Sequence, residues 1–285
     1  MKNSIEIKKV TKNYDNFSLK NINLNIPSGS IVGLIGENGA GKTTLIKSLL
    51  NIVKISDGSI KIFNEDIKLD DNSIKEDIGV VLDNSFFPEL LNASNVSTIM
   101  ASIYKTWDNE LYNKYLKDFD IPTKQAIKTF SKGMRKKLEI ATALAHKPKL
   151  LILDEPTSGL DPVVRTEILD IFLNFIQDED HTILLSTHIT SDLEHIADYI
   201  VFIDNGSIIL NDSRDAILDN YGVLKVEEKD FNKVDKEDII KYKKNRYNYE
   251  ILVDNRDKIS KKYKSMVVDK ATLEDIMVLN IKGVK

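Results

Sequence analysis

Gly36-Glu37-Asn38-Gly39-Ala40-Gly41-Lys42-Thr43-Thr44 decides how the rest of this 285-residue chain is read. Residues 36–43 fit G-x-x-x-x-G-K-[ST], the pattern of a loop that wraps phosphate groups. Glycines let the backbone close around the anion. The N–H groups converge at a helix N-terminus, where the dipole favours negative charge. Lys42 is placed to reach the β- and γ-phosphates of a nucleotide, and Thr43 to offer its hydroxyl to Mg²⁺. Such a loop needs a strand before it and a helix after it. Residues 30–35 are a short apolar run, and 42–52 carry the periodicity of a helix.

Working outward, Leu150-Leu151-Ile152-Leu153 predicts a buried strand that ends in Asp154-Glu155. Ligands of open α/β sheets bind at the carboxyl ends of strands. Asp154 is therefore positioned for Mg²⁺ and Glu155 as general base for an attacking water. Residues 5–10 and 19–26 alternate apolar with polar, as half-buried strands do, and Pro27-Ser28-Gly29 reads as a turn. Residues 58–82 read as two more strands with a polar link. The pattern turns helical from Phe86 to about His146, with segments near 94–106, 108–118 and 131–146. A helix after Pro162, a strand at 182–186, a helix at 190–198 and a hairpin turning at Asn205-Gly206 follow. The whole predicts a sheet with helices on its faces, interrupted by a helical lobe at about 86–146.

The texture changes beyond about residue 222. Lysines crowd 225–264, short β-like runs stand at 247–253 and 265–268, and an amphipathic helix starts at Thr272, with Asp275 suited to cap it. Residues 1–221 are thus expected to form one domain and 222–285 a smaller accessory unit.

Composition narrows the function. A net charge of −4 gives no general attraction to nucleic acid or anionic lipid, and the absence of cysteine removes thiol chemistry and cysteine-ligated zinc. The amino terminus lacks the apolar core of a signal peptide, and no run approaches the ~20 apolar residues that span a bilayer. A cytoplasmic protein that serves a membrane only through another chain is expected. His146, His181 and His195 lack metal-like clustering and suit surface or helix-end roles; Arg135-Lys136-Lys137 reads as an exposed helix face.

Phe130-Ser131-Lys132-Gly133-Met134-Arg135 resembles the L-S-G-G-Q signature of the ATP-binding-cassette (ABC) family, with Lys132 and Met134 as departures. Ser158-Gly159-Leu160-Asp161 looks like the family's D-loop, His188 follows a strand as its switch histidine does, and Tyr14 lies where an aromatic stacks on adenine. The resemblance covers about residues 3–220. It implies a P-loop NTPase fold of the ABC type: a RecA-like core sheet, an antiparallel β-subdomain, an inserted helical lobe and a small C-terminal α+β extension. It implies ATP and Mg²⁺, with Asn38, Gly39, Ala40, Gly41, Lys42, Thr43 and Thr44 on the nucleotide. Glu155, His188 and Lys42 are the catalytic set it implies, and Thr43, Asp83 and Asp154 the metal set. Ser131, Gly133 and Asp161 would serve ATP held by a second protomer in a head-to-tail dimer.

At Asp83 the family usually has glutamine, so this position adds a negative charge. Phe86-Phe87-Pro88 falls where the family docks a helix of an integral membrane permease; filling the lobe's own core is the equal alternative. The signature variant and the C-terminal extension resemble ATP-binding subunits of bacterial export systems, including drug and peptide-antibiotic exporters. The rival class is a non-transport ABC ATPase acting on ribosomes or DNA. Such proteins carry tandem cassettes, long coiled-coil insertions or zinc modules, which this sequence lacks, and no nucleic-acid partner is expected.

Overall fold

The computed structural model describes residues 2–67, 73–83 and 87–284. In chain order the first elements are β1 (Asn3–Asn13), β2 (Ser18–Pro27), β3 (Ile31–Ile35), α1 (Lys42–Leu49), β4 (Asp57–Ile62), β5 (Glu65–Asp66), α2 (Ser73–Glu76) and β6 (Ile78–Val81). Then come the lobe helices α3 (Ala93–Ile103), α4 (Asn109–Asp118) and α5 (Lys132–Leu144). The core resumes with β7 (Leu150–Asp154), α6 (Pro162–Phe175), β8 (Thr182–Thr187), α7 (Thr190–Ile196), β9 (Tyr199–Asp204), β10 (Ser207–Ser213) and α8 (Arg214–Asn220). The chain closes with β11 (Gly222–Glu227), β12 (Lys241–Lys244), β13 (Asn248–Val253), α9 (Arg256–Lys262), β14 (Val267–Lys270) and α10 (Leu273–Lys282).

The central sheet runs β10-β9-β3-β8-β7-β6 and is parallel except at its β10 edge. β3, β7 and β8 are buried along their whole lengths, which is why their sequences are near-continuous apolar runs. Successive side chains of β3 go to opposite faces. Ile31 and Ile35 join a core with Phe172 and Phe202, while Val32 and Leu34 join one with Leu45, Ile46 and the strand residues Ile5 and Ile7. The second sheet, β2-β1-β4-β5, is antiparallel and covers the α1 side. The lobe has its own core, centred on Tyr112, Leu116 and Leu138, and the buried Tyr112 hydroxyl donates to Ala93 O at 3.0 Å.

The α/β architecture read from the sequence is the observed one, with local differences. Residues 57–81 hold β4, β5, α2 and β6 rather than two strands. α1 stops at Leu49 because Asn51 adopts φ 54°, a left-handed conformation in which asparagine commonly ends a helix. The last sheet, β12-β13-β11-β14, contains β11 and β12, which the lysine-rich texture concealed. Lys225 sits within β11 and pairs across the sheet with Asp269, its neighbouring residues Leu224 and Val226 pointing into a small core. α10 starts as read: Thr272 and Asp275 form a reciprocal capping box. Its Leu273, Ile276 and Leu279 join the main core, so the last helix is seated on the core of the central sheet.

Two readings need correction. Lys136 is not on an exposed helix face but only 5% exposed, because α5 packs that side against the residues after β6. His146 does follow the end of α5, yet it is buried at 1% exposure, stacked on Tyr104 at 4.0 Å, and its Nε2 lies 3.2 Å from Ile78 O. Burial disfavours its charged form and holds its pKa below the ordinary imidazole value. Among the described residues no helix is long and apolar enough to cross a membrane.

Candidate functional site

The glycine loop joins β3 to α1 at the carboxyl edge of the central sheet. Gly36 cannot carry a side chain, since a Cβ there would lie 2.3 Å from Ile203 O. Gly41 caps α1 with φ 117°, a conformation open in practice only to glycine. Lys42 turns back beneath the loop, only 5% exposed, and its Nζ donates to Gly36 O at 2.7 Å and Glu37 O at 3.3 Å.

Register brings the acidic pair to this loop. Asp154 of β7 lies opposite Ser186 of β8, and Ser186 Oγ donates to Asp154 Oδ1. Thr43 Oγ1 donates to the other carboxylate oxygen at 2.9 Å. Glu155, the next residue, is held at φ 51°, a left-handed conformation uncommon for glutamate, and its N–H donates to Ser186 O at 3.0 Å. Strained backbone of this kind costs on the order of 1–3 kcal/mol and concentrates at functional sites. The turn carries the Glu155 carboxylate between the His188 ring and the Lys42 ammonium. Oε2 lies 2.7 Å from His188 Nδ1; Oε1 is buried 3.5 Å from Lys42 Nζ and accepts no hydrogen bond from any described residue. His188 directly follows β8, so the β3-β8-β7 strand order explains why residues far apart in sequence meet here.

Asn38, Gly39, Lys42, Thr43, Thr44, Asp83 and Glu155 share one open cavity of about 600 Å³. Tyr14 does not line it. The turn between β1 and β2, closed by Tyr14 N–H to Phe17 O at 2.8 Å, points Phe17 inward and leaves Tyr14 47% exposed, with its ring 6.5 Å from that of Phe17. Phe17, Asn16 and Asn205 also line the cavity and were not singled out in the sequence. An aromatic three residues after Tyr14 at a hairpin tip was the available signal for Phe17.

Ser131, Gly133 and Asp161 lie apart from this cavity. Ser131 caps α5 by accepting from Met134 N–H at 3.2 Å, and Asp161 caps α6 by accepting from Val163 and Val164 N–H, each at 3.1 Å. The two helix starts are adjacent, for a Cβ at Gly133 would touch Val164 at 3.3 Å, and the Lys132 ammonium lies over Gly159. Signature segment and D-loop segment therefore form one exposed face. Behind it, Thr157 Oγ1 donates at 2.6 Å to the buried Asp192, which also pairs with Arg165. Phe87 is half-buried against the lobe core; Phe86 lies outside the described residues.

A parallel sheet whose glycine loop opens a helix beside an Asp-Glu strand end defines a P-loop nucleotide-binding protein. Residues 19–158 match the family model described as ABC transporter. The chain is 39% identical over 215 residues to the lantibiotic transport ATP-binding protein SrtF of Streptococcus pyogenes, covering 74% of this chain and 91% of that protein. It is 36% identical over 194 residues to the bacitracin transport ATP-binding protein BcrA of Bacillus licheniformis, covering 67% of this chain and 63% of that one. Among solved structures, an ATP-binding subunit of an ABC transporter matches with a TM-score of 0.68 at 27% identity, covering 75% of this chain and 91% of the other. A dimeric ATP-binding cassette bound to ADP and Pi matches at 0.66 and 25% identity, covering 73% and 98%. The chain belongs to the ABC transporter family, as an ATP-binding subunit with ATP hydrolase activity.

Proposed function

We propose that the cavity at Asn38–Thr44 binds the phosphates of ATP and that Glu155 is the general base of hydrolysis. The observation that carries this reading is the Glu155 carboxylate, strained into place between Lys42 and His188 with Oε1 left without a hydrogen bond from any described residue. A water bonded to the Glu155 carboxylate would lose its proton to it as it attacks the γ-phosphoryl group, releasing ADP and phosphate. His188 holds the carboxylate, and Lys42 balances charge on the β- and γ-phosphates. Tyr14, exposed at the rim, is the proposed adenine platform, with Phe17 beside it.

The donor set fits Mg²⁺. Thr43 Oγ1 and Asp154 are hard oxygen ligands already in contact at 2.9 Å, with Asp83 lining the same cavity. Among the described residues no cluster of His, Cys, Asp and Glu could hold a metal alone, which suits an ion that keeps water and phosphate oxygens as ligands. Bound there, Mg²⁺ would neutralise phosphate charge.

Ser131, Gly133 and Asp161 sit on an exposed face away from the chain's own cavity, and we assign them to ATP bound by a second protomer packed head to tail. The permease is assigned to the joint between core and lobe. Ile52, 59% exposed, lines an apolar hollow of about 280 Å³ with Ile67, Val80 and Tyr104, and Val80 and Tyr104 also line a second hollow of about 200 Å³ with Phe87. Isolated exposed apolar residues are ordinary, but a cluster at a cleft marks a partner site. The protein would then work on the cytoplasmic face of a membrane. From the lantibiotic and bacitracin transport relatives, the exported cargo proposed is a peptide antibiotic. Residues 1–221 would form the ATP-binding domain and 222–285 an accessory subdomain. Glu155→Gln should bind ATP normally while hydrolysis falls by about 10²–10⁴; unchanged turnover in a phosphate-release assay would refute the assignment.

A further inference from the structure

α5 touches the nucleotide machinery at two places. Its first turn carries Ser131 and Gly133. One turn further, Lys136 reaches inward: its Nζ donates to Leu82 O at 3.0 Å and lies 2.8 Å from Glu139 Oε2. The Lys136 and Glu139 side chains are only 6% and 10% exposed. A buried ion pair is a poor way to gain stability, since apolar residues of equal volume do as well or better. Its position is more informative. Leu82 is the first residue past β6, where pairing to β7 has ended, and its carbonyl adjoins Asp83 in the nucleotide cavity. Among the described residues no strand pairs with Leu82, and its carbonyl is held instead by Lys136.

We propose that Lys136, held by Glu139, is a positioning residue that ties the peptide before Asp83 to the signature helix. The inference rests on the reading of Ser131 and Gly133 as contacts to a second protomer's ATP. α5 is a rigid rod, so movement of its first turn toward that ATP must carry Leu82 with it or break a buried charged hydrogen bond. Docking of one nucleotide thereby sets Asp83 against the other. The two composite sites of a dimer are linked inside each protomer through one ammonium group.

The test is a cycle on the full-length protein. Lys136→Met with Glu139→Met keeps side-chain bulk and leaves no unpaired buried charge. This pair is made alone and together with Asp83→Ala, and ATP turnover is measured at a temperature where melts show every variant folded. Expected is a fall in kcat of roughly 3–30-fold, with KM for ATP within about twofold and a Hill coefficient reduced toward 1. In the Asp83→Ala background the same change should have no further effect. An equal loss in both backgrounds would mean that Lys136 acts independently of Asp83 and would overturn the proposal, as would wild-type kcat in the Met pair. If that pair does not fold, Lys136→Arg, which keeps a charged donor, is compared with Lys136→Gln in the same cycle. Retained kcat only with arginine, and only with Asp83 present, supports the tether; equal behaviour refutes it. Glu155→Gln runs in parallel: full turnover there would mean the site assignment itself is wrong, a failure separate from that of the tether.

Discussion

The glycine loop and the signature segment each open a helix, yet the chain finishes them to different degrees. At the loop, Lys42, Thr43, Asp154, Ser186, Glu155 and His188 are joined by hydrogen bonds and ion pairs across β3, β8 and β7, mostly out of solvent. At the signature segment, Ser131 makes its own helix cap, Lys132 rests over Gly159, and the face is open to solvent. The first has its charges arranged before any ligand arrives, so it can bind within one chain. The second presents an open face at two adjacent helix starts, apart from the cavity at the loop. Preorganised electrostatics matter most where water is excluded, which at the second place would be the contribution of the proposed second protomer.

The contrast can be broken most directly at the loop. Lys42→Ala should bring turnover to background and weaken ATP binding by about 2–5 kcal/mol, measured by titration with a fluorescent nucleotide; near-normal affinity would mean the loop is not the primary site. Next in size, Glu155→Gln with ATP should elute from gel filtration as a dimer, whereas the wild type dissociates as it hydrolyses. Monomer throughout would remove the homodimer from consideration. Ser131→Ala tests the other half. Turnover should drop about 10²-fold while a single protomer's ATP affinity stays as it was, and a parallel loss of affinity would show that the two places are not separate. The smallest effect is expected at the start of α10. Thr272→Ala removes the cap of α10 and should cost about 1 kcal/mol, a melting shift of roughly 2–4 °C, with turnover unchanged. A change in turnover would tie α10, whose Met277 borders Gly36–Asn38 and His188, to the nucleotide site.

The lysine-rich last sheet shows where sequence reading weakens. In β3 and β7 both faces are buried, so composition alone marks the strands. β11 carries Lys225 and β12 reads Lys-Tyr-Lys-Lys, and their β character depends on cross-strand partners such as Asp269 that no local window contains. The same limit hid Lys136, whose burial follows from the path of the chain after β6 rather than from its basic neighbours.

The sequence by itself determined the phosphate loop, the Asp154-Glu155 strand end, the lobe helices and the family, because those depend on backbone chemistry and spacing within one segment. Tertiary structure decided which residues meet: Glu155 with His188 and Lys42, Asp154 with Ser186, Phe17 rather than Tyr14 inside the cavity, and Lys136 on the peptide before Asp83. Those contacts depend on strand order and register, which bring distant segments within hydrogen-bonding reach and which no local pattern encodes.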